Sequence, residues 1–298
     1  MKNKIKIIAL IAIFIVIAAG IVIANINKTQ KSKDRKENYK ILTSFYPIYI
    51  MTLNITNGAN NVEVENMAEN LNGCIHDYTL TTADLKKLEN CDVFIENGAG
   101  LEEFTDEIIS KYSNVKVIDA ADLVNDLLVD EEGETNSHIW LSIDIYINET
   151  NKIAHELSSI DPANEQVYKK NSDDYIKKLI DLKRRFSEIN VKEKKTICLN
   201  ESLEYLLRDN KMDITMVETD HEQASISAKT VKDLIEQMQK ENIKTIFIDK
   251  DDNKKNAEML ANETGATIYT LNSEMNGEKD LDAYIKAMKE NLSVLEKI

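Results

Sequence analysis

The sequence predicts an α/β protein with two lobes of parallel β-sheet flanked by helices, joined by one long helix and preceded by an N-terminal membrane anchor. Three observations point there. Short runs rich in Val and Ile alternate with amphipathic helical stretches in two series, between residues 40 and 119 and again between 196 and 296. Between the series lies a stretch of helical period too long for an ordinary connection. Before both, Ile7 to Ala24 is apolar throughout, about the length that crosses a bilayer. A chain of 298 residues, 43% apolar, can fill one large core or two smaller ones. The expected boundaries are 1–27 for a signal anchor or signal peptide, 28–38 for a tether, 39–153 for the N-terminal lobe, 154–190 for the linking helix and 191–298 for the C-terminal lobe.

Lys2, Lys4 and Lys6 precede the apolar run, but Lys28, Lys31, Lys33, Arg35 and Lys36 follow it, so charge asymmetry leaves the orientation open. Val22-Ile23-Ala24 offers a cleavage site. No cysteine precedes Cys74, so lipoprotein-type attachment is not expected. The polar stretch after residue 27 lacks apolar periodicity and reads as a tether. A first strand follows at Lys40 to Phe45, stopped at Pro47, and Ile48 to Ile55 resumes as helix. Asn61 to Asn66 alternates as a strand. Thr82 to Leu88 is helical, Cys91 to Glu96 is a buried strand ending at Asn97-Gly98-Ala99-Gly100, and Val115 to Asp119 is another strand. Asp130 to Glu134 marks an acidic surface excursion.

From Asp161-Pro162 to about Ile189 the pattern predicts one helix, with Pro162 in its first turn and Tyr175, Leu179, Leu182 and Phe186 at helical spacing. The alternation then restarts. Strands are expected at Thr196 to Leu199, Ile214 to Val217, Thr245 to Asp249 and Thr267 to Leu271. Helices are expected at Leu203 to Leu207, Ala228 to Lys240, Lys255 to Glu263 and Asp280 to Glu296. The two series share a rhythm without a residue-level repeat.

The formal charge of −15 argues against nucleic acid as a partner. An acidic surface concentrates cations, although it also serves simply to keep a protein soluble. Cys74, Cys91 and Cys198 show no C-x-x-C spacing and are odd in number, so neither a zinc knuckle nor a disulfide framework is indicated. Cys91 and Cys198 lie in apolar runs as core residues, whereas Cys74, two residues from His76, offers a possible thiolate ligand.

Only four histidines occur, and two of them, His76 in Gly73-Cys74-Ile75-His76-Asp77-Tyr78 and His138 in Asn136-Ser137-His138-Ile139-Trp140-Leu141, sit in loops beside strand ends. Imidazole is a common ligand for zinc and related ions, and ligands from distant loops meet only if the fold brings those loops together. In open α/β sheets, ligands bind beyond the carboxyl ends of the strands. Asn200, Glu218, Asp249 and Asn272 end or follow strands of the second series. Each has a plainer reading as well. Asn200 is a good N-cap for a helix starting at Glu201, Asn272 suits a turn, His155 sits on a helix without a partner motif, and His221 lies in a polar loop.

The ordered set Ser44-Phe45-Tyr46-Pro47, His76-Asp77-Tyr78 with Asp84 and Leu88, Asn97-Gly98-Ala99-Gly100-Leu101-Glu102, His138-Ile139-Trp140-Leu141-Ser142 and Gly265-Ala266 resembles the zinc- and manganese-binding solute-binding proteins of metal ABC transporters, the cluster A-I receptors. The resemblance covers residues 39–298. It implies a non-enzymatic, extracytoplasmic receptor, expected to be a monomer, that captures a divalent ion between its lobes for an ABC permease. Zinc is the favoured ion, with manganese as the alternative. It also implies ligands at His76 and His138 and at the positions of Asn200 and Asn272. Both asparagines depart from the family's imidazole or carboxylate, and a carboxamide oxygen is a poorer zinc donor. Glu201, beside Asn200, is the nearest substitute, and Glu274, Glu218, Asp220 and His221 are further neighbours. The family's histidine-rich loop is replaced by the acidic stretch before His138.

Two rivals remain at this stage. A zinc hydrolase would need an open position and a placed base, and the sequence has no H-E-x-x-H, G-x-S-x-G or glycine-rich phosphate loop. A divergent receptor-like protein that has lost tight metal binding and takes a protein partner or another ligand fits the missing ligands.

Overall fold

The computed structural model describes residues 38–298 apart from 70, 72–74, 104, 106–108, 110, 130–132 and 218–225. The expected anchor and nearly all of the tether, together with Cys74, Glu218, Asp220 and His221, lie outside the described residues. Among the described residues no helix is long and apolar enough to cross a membrane. Residues 40–298 pack as one compact unit.

The first series forms β1 (Tyr39–Thr43), α1 (Tyr46–Thr56), β2 (Val62–Asn66), α2 (Thr82–Asn90), β3 (Val93–Glu96) and β4 (Lys116–Asp119). The second forms β5 (Lys195–Cys198), α5 (Glu204–Asp209), β6 (Asp213–Met216), α6 (Ala228–Glu241), β7 (Thr245–Asp249), α7 (Lys255–Thr264), β8 (Thr267–Leu271) and α8 (Ala283–Leu295). Between them lie α3 (Ile143–Ile160) and α4 (Glu165–Glu188). The sheets are ordered β2-β1-β3-β4 and β6-β5-β7-β8, the same winding used twice. β1 with β3, β3 with β4, and β5, β6, β7 and β8 in their pairs all run parallel. In each sheet the order reverses between the first and third strands, and a crevice opens beyond the carboxyl ends there.

The local sequence accounts for the elements. Phe94 and Phe247 on the central strands are fully buried, because helices cover both faces of a parallel sheet. Thr81 caps α2 in a full capping box with Asp84. Asn242 and Gly265 close α6 and α7 in the left-handed region. Pro47 sits inside the first turn of α1, where its missing N–H removes no helical bond.

The expected long helix is present as α4, but it starts later than Asp161 and a second helix, α3, precedes it. Asp161 ends α3 by donating its N–H to the Leu157 carbonyl, and Pro162 lies in the turn that follows. α4 begins only at Glu165, after Asn164 has tied itself to the Asn60 backbone in both directions. α3 and α4 therefore form a hairpin. On α4, Tyr168, Ser172, Tyr175, Leu179, Leu182 and Phe186 are buried at steps of four and three, while Ile180 is exposed. That stripe packs on α1, α3 and α8, so the long helix touches helices from both series.

The first half also buries carboxyl groups. Glu149 on α3 is fully buried with neither carboxyl oxygen hydrogen-bonded, and burial, reinforced by Glu102 and Asp119, holds its pKa well above the ordinary range. Glu102 accepts from the N–H groups of Asn97 and Gly98, yet burial still pushes it up to about 7. Buried Glu274 is pushed up to about 7 as well. A carboxyl whose pKa is raised on folding binds its proton more tightly in the folded state. Its contribution is therefore intact below the unfolded value near 4.5. It is lost as the pH climbs from there through the folded value, by about 1.4 kcal/mol for each pH step of one between the two. Thermal stability should fall between pH 5 and 8, and Glu149→Gln should flatten that fall. Thermal melts across this range would count against the buried acid if the two proteins lost stability in parallel.

Candidate metal centre

His76 lies in a short 3₁₀ turn, Ile75–Asp77, between β2 and α2. His138 immediately precedes a second such turn, Ile139–Leu141, and Glu201 opens a third, Glu201–Leu203, directly after β5. These three residues come together, with one ligand atom from each lying within 4.8 Å of the others. The His76 and His138 rings meet edge to face, with centroids 5.2 Å apart. His138 is 1% exposed, Glu201 is half-exposed, and His76 faces solvent. One side of the group is thus packed in protein and the other is open to an arriving ion. Donors around a tetrahedral zinc at 2.0–2.1 Å stand about 3.3 Å apart, so the three groups would have to draw closer to share an ion.

The surroundings of His138 explain its orientation. Its ring lies 5.2 Å from the Trp140 ring, which in turn meets Phe45 in a T-shaped contact at 4.8 Å. Its Nδ1 is 2.9 Å from the Asn136 carboxamide oxygen and 3.9 Å from a Glu201 carboxylate oxygen. Coordination through the other ring nitrogen, Nε2, would require the Glu201 carboxylate to turn away from the Nδ1 edge it faces here.

The two expected asparagines are occupied differently. The Asn200 carboxamide oxygen accepts from the Ser202 N–H at 3.0 Å and from the Ser202 hydroxyl at 2.6 Å, while its NH2 donates to Asp252 at 2.8 Å. Asn200 is therefore the cap of the turn that carries Glu201. The Asn272 oxygen accepts from the Glu274 N–H at 2.8 Å, and the Asn272 backbone bonds reciprocally with Asn291. Both side chains shape the loops beyond β5 and β8. Glu274 adopts a positive φ of 57° in the second of these loops and is not part of the three-residue cluster.

Cys91 is partly and Cys198 fully buried, and burial pushes each thiol up to about 12, so neither is a thiolate near neutral pH. His155 on α3 is exposed, 4.0 Å from its neighbour Glu156. Sequence reasoning missed Asn136, which stands two residues before His138 and whose NH2 reaches the Glu201 carbonyl. An asparagine beside a candidate ligand was the only available signal.

A family model described as zinc-uptake complex component A, periplasmic (ZnuA), matches residues 41–298. The zinc-binding protein AdcA of Streptococcus pyogenes is 27% identical over 290 residues, covering 86% of this chain and 55% of its own length. The chain thus spans about half the length of that relative. The high-affinity zinc uptake system protein ZnuA of Bacillus subtilis is 26% identical over 314 residues, with 95% of each chain covered. Among solved structures, the solute-binding protein FpvC of Pseudomonas aeruginosa in complex with Ni2+ is 27% identical, with a TM-score of 0.76 over 87% of this chain and 96% of its own.

Replacing Asn200 with Ala uncaps the Glu201 turn and should destabilise the protein by about 1 kcal/mol. Urea denaturation measures this, and an unchanged midpoint would show that the cap contributes nothing.

Proposed function

Since the chain belongs to the zinc-uptake complex component A family, we propose that it is an extracytoplasmic solute-binding protein that captures a divalent metal ion, zinc before manganese, and delivers it to an ABC permease. The observation that carries this reading is the convergence of His76, His138 and Glu201 from three separate loops. In this reading those three residues are the ligands, with a water or a movable oxygen completing the coordination. Two imidazoles and a carboxylate suit zinc, and a more oxygen-rich set would favour manganese. AdcA and ZnuA are named for zinc, while FpvC has been captured with Ni2+ and with Mn2+. With Asn200 and Asn272 committed to their loops, the site has fewer strong donors than a closed four-ligand zinc site, so its affinity is expected to be lower.

The role is that of a receptor rather than an enzyme, acting as a monomer. The uncharged run Ile7 to Ala24 would serve as its membrane anchor or signal, 28–38 as the tether, 39–153 and 191–298 as the lobes, and 154–190 as the link. A relative in Streptococcus pneumoniae is named a zinc-binding lipoprotein, which fits a membrane tether, although with no cysteine before Cys74 the tether here would be the apolar run and not a lipid. Lobe closure on the ion should be small, because several hydrogen bonds already tie the first series to the second. Among them are Trp140 to the Ser273 carbonyl, Tyr46 to the Glu278 carbonyl and Asn54 to the Leu281 carbonyl.

Calorimetric titration of metal-stripped protein with zinc and then manganese should give one-to-one binding. His76→Ala, His138→Ala and Glu201→Ala should each weaken it at least tenfold, and His155→Ala should not. Heats at the level of buffer dilution for both ions would refute the receptor reading and favour a related protein that has lost its metal.

A further inference from the structure

We infer that Asn136 is the positioning residue of this metal centre: its carboxamide sets the tautomer of His138 and ties that histidine to the Glu201 turn of the second series. The inference deepens the proposed function and rests on it where affinity is concerned, while its tautomer component stands on the geometry alone.

The assignment follows from which atoms can donate. An asparagine amide has one end that only donates and one that only accepts, and hydrogen positions at a histidine must be inferred from such partners. The Asn136 nitrogen lies 3.1 Å from the Glu201 backbone carbonyl and 2.9 Å from a Glu204 carboxylate oxygen. Both are acceptors. The Glu204 carboxylate is itself held in place on its other oxygen by Arg208, at 2.6 Å. The Asn136 oxygen lies 3.0 Å from the His138 backbone N–H, which can only donate. Three partners therefore fix the amide in one orientation, and flipping it would set donor against donor and acceptor against acceptor. With the oxygen so placed, the fourth contact, His138 Nδ1 at 2.9 Å, is a hydrogen bond only if Nδ1 carries the proton. The ring's lone pair then sits on Nε2, the nitrogen that can bind an ion.

The same side chain spans the two series. Asn136 follows β4 and belongs with His138, whereas Glu201 and Glu204 follow β5. Its backbone is pinned as well, since the Tyr205 hydroxyl on α5 donates to the Asn136 carbonyl at 3.0 Å and accepts from the Leu128 N–H at 2.9 Å. One residue thus orients a ligand of the first series against the turn that carries a ligand of the second. A change in the spacing between the two would be felt at the His138 ring through a single side chain. Partners of this kind, standing behind a metal-binding histidine, fix its ring and its basicity, and removing them costs about 10–100-fold in metal affinity. A carboxylate in this place would accept from His138 equally well, but it could not donate to the Glu201 carbonyl or to Glu204.

Asn136→Ala and Asn136→Asp separate the two roles. In the metal-free protein, at a pH where the nitrogen shifts themselves show the imidazoles to be neutral, long-range proton–nitrogen correlation spectra report the tautomer of each histidine. His138→Gln identifies the His138 signals. The wild type should show His138 protonated at Nδ1. Asn136→Ala should give a mixture of tautomers or the Nε2-protonated form, with zinc binding about 10–100-fold weaker. Asn136→Asp should keep the wild-type tautomer and still lose affinity, because its carboxylate faces the Glu201 carbonyl and Glu204. A wild-type ring protonated at Nε2, or an Ala variant that keeps the wild-type tautomer, would overturn the inference. So would wild-type zinc affinity in Asn136→Asp, for its cross-series part. If no variant nor the wild type binds zinc, the receptor reading fails by itself while the spectra still decide the tautomer assignment.

Discussion

The packing around Trp140 is the constraint on which the rest of the structure depends. The ring is fully buried, makes a T-shaped contact with Phe45 and a tilted one with His138, and donates its indole N–H to the Ser273 carbonyl at 2.7 Å. Its own carbonyl accepts from the Tyr284 hydroxyl at 2.7 Å, and the Tyr284 ring stacks on Tyr146 at 3.8 Å with the planes parallel. These contacts join residues from both series through a buried, aromatic centre, where a lost hydrogen bond costs more than at the surface. The proposed ligands, which follow β2, β4 and β5, can share one ion only if the two sheet edges are held face to face, and Trp140 is at the place where they are held. Gly277 belongs to the same arrangement. A Cβ there would meet the Tyr46 hydroxyl at 2.5 Å, and that hydroxyl is the one bonded to the Glu278 carbonyl.

In the proposed reading, a receptor that must release its cargo gains from a site with one rigid side and one accessible side. His138 supplies the rigid side, buried and fixed, while His76 and Glu201 remain in contact with water. On that proposal, binding would need small adjustments of exposed groups more than movement of the core, in keeping with the cross-series hydrogen bonds and with the hairpin of α3 and α4 along both halves. The buried acids Glu149 and Glu102 work against stability at neutral pH. Such groups are tolerated because the surrounding sheet and helices supply far more apolar burial than one neutral or strained carboxyl removes.

Much of this was legible in the sequence. The eight strands were read within one or two residues because Val, Ile and aromatic runs bounded by polar residues mark buried parallel strands. α3 was missed, although Ser142 caps it and Tyr146, Thr150, Ile153 and Leu157 recur at helical spacing. The neighbouring pattern beginning at Asp161 drew the boundary instead, and Pro162 suited a helix start as well as the turn it occupies. His76 and His138 stood out because the chain has few histidines and both lie at strand ends. Glu201 was visible only as a neighbour of Asn200. Which of the two would face the histidines depends on the direction of a 3₁₀ turn, and one residue of rotation decides it. The role of Asn136 depends on the approach of Glu204, 68 positions away, which no local pattern encodes.

The central claim is that His76, His138 and Glu201 hold one ion. X-ray absorption at the zinc edge of the zinc-loaded protein tests it most directly. The expected spectrum shows two imidazole nitrogens at about 2.0–2.1 Å with their outer-ring scattering, together with oxygen at about 2.0–2.2 Å. A sulfur shell near 2.3 Å, or no imidazole scattering at all, would contradict the account.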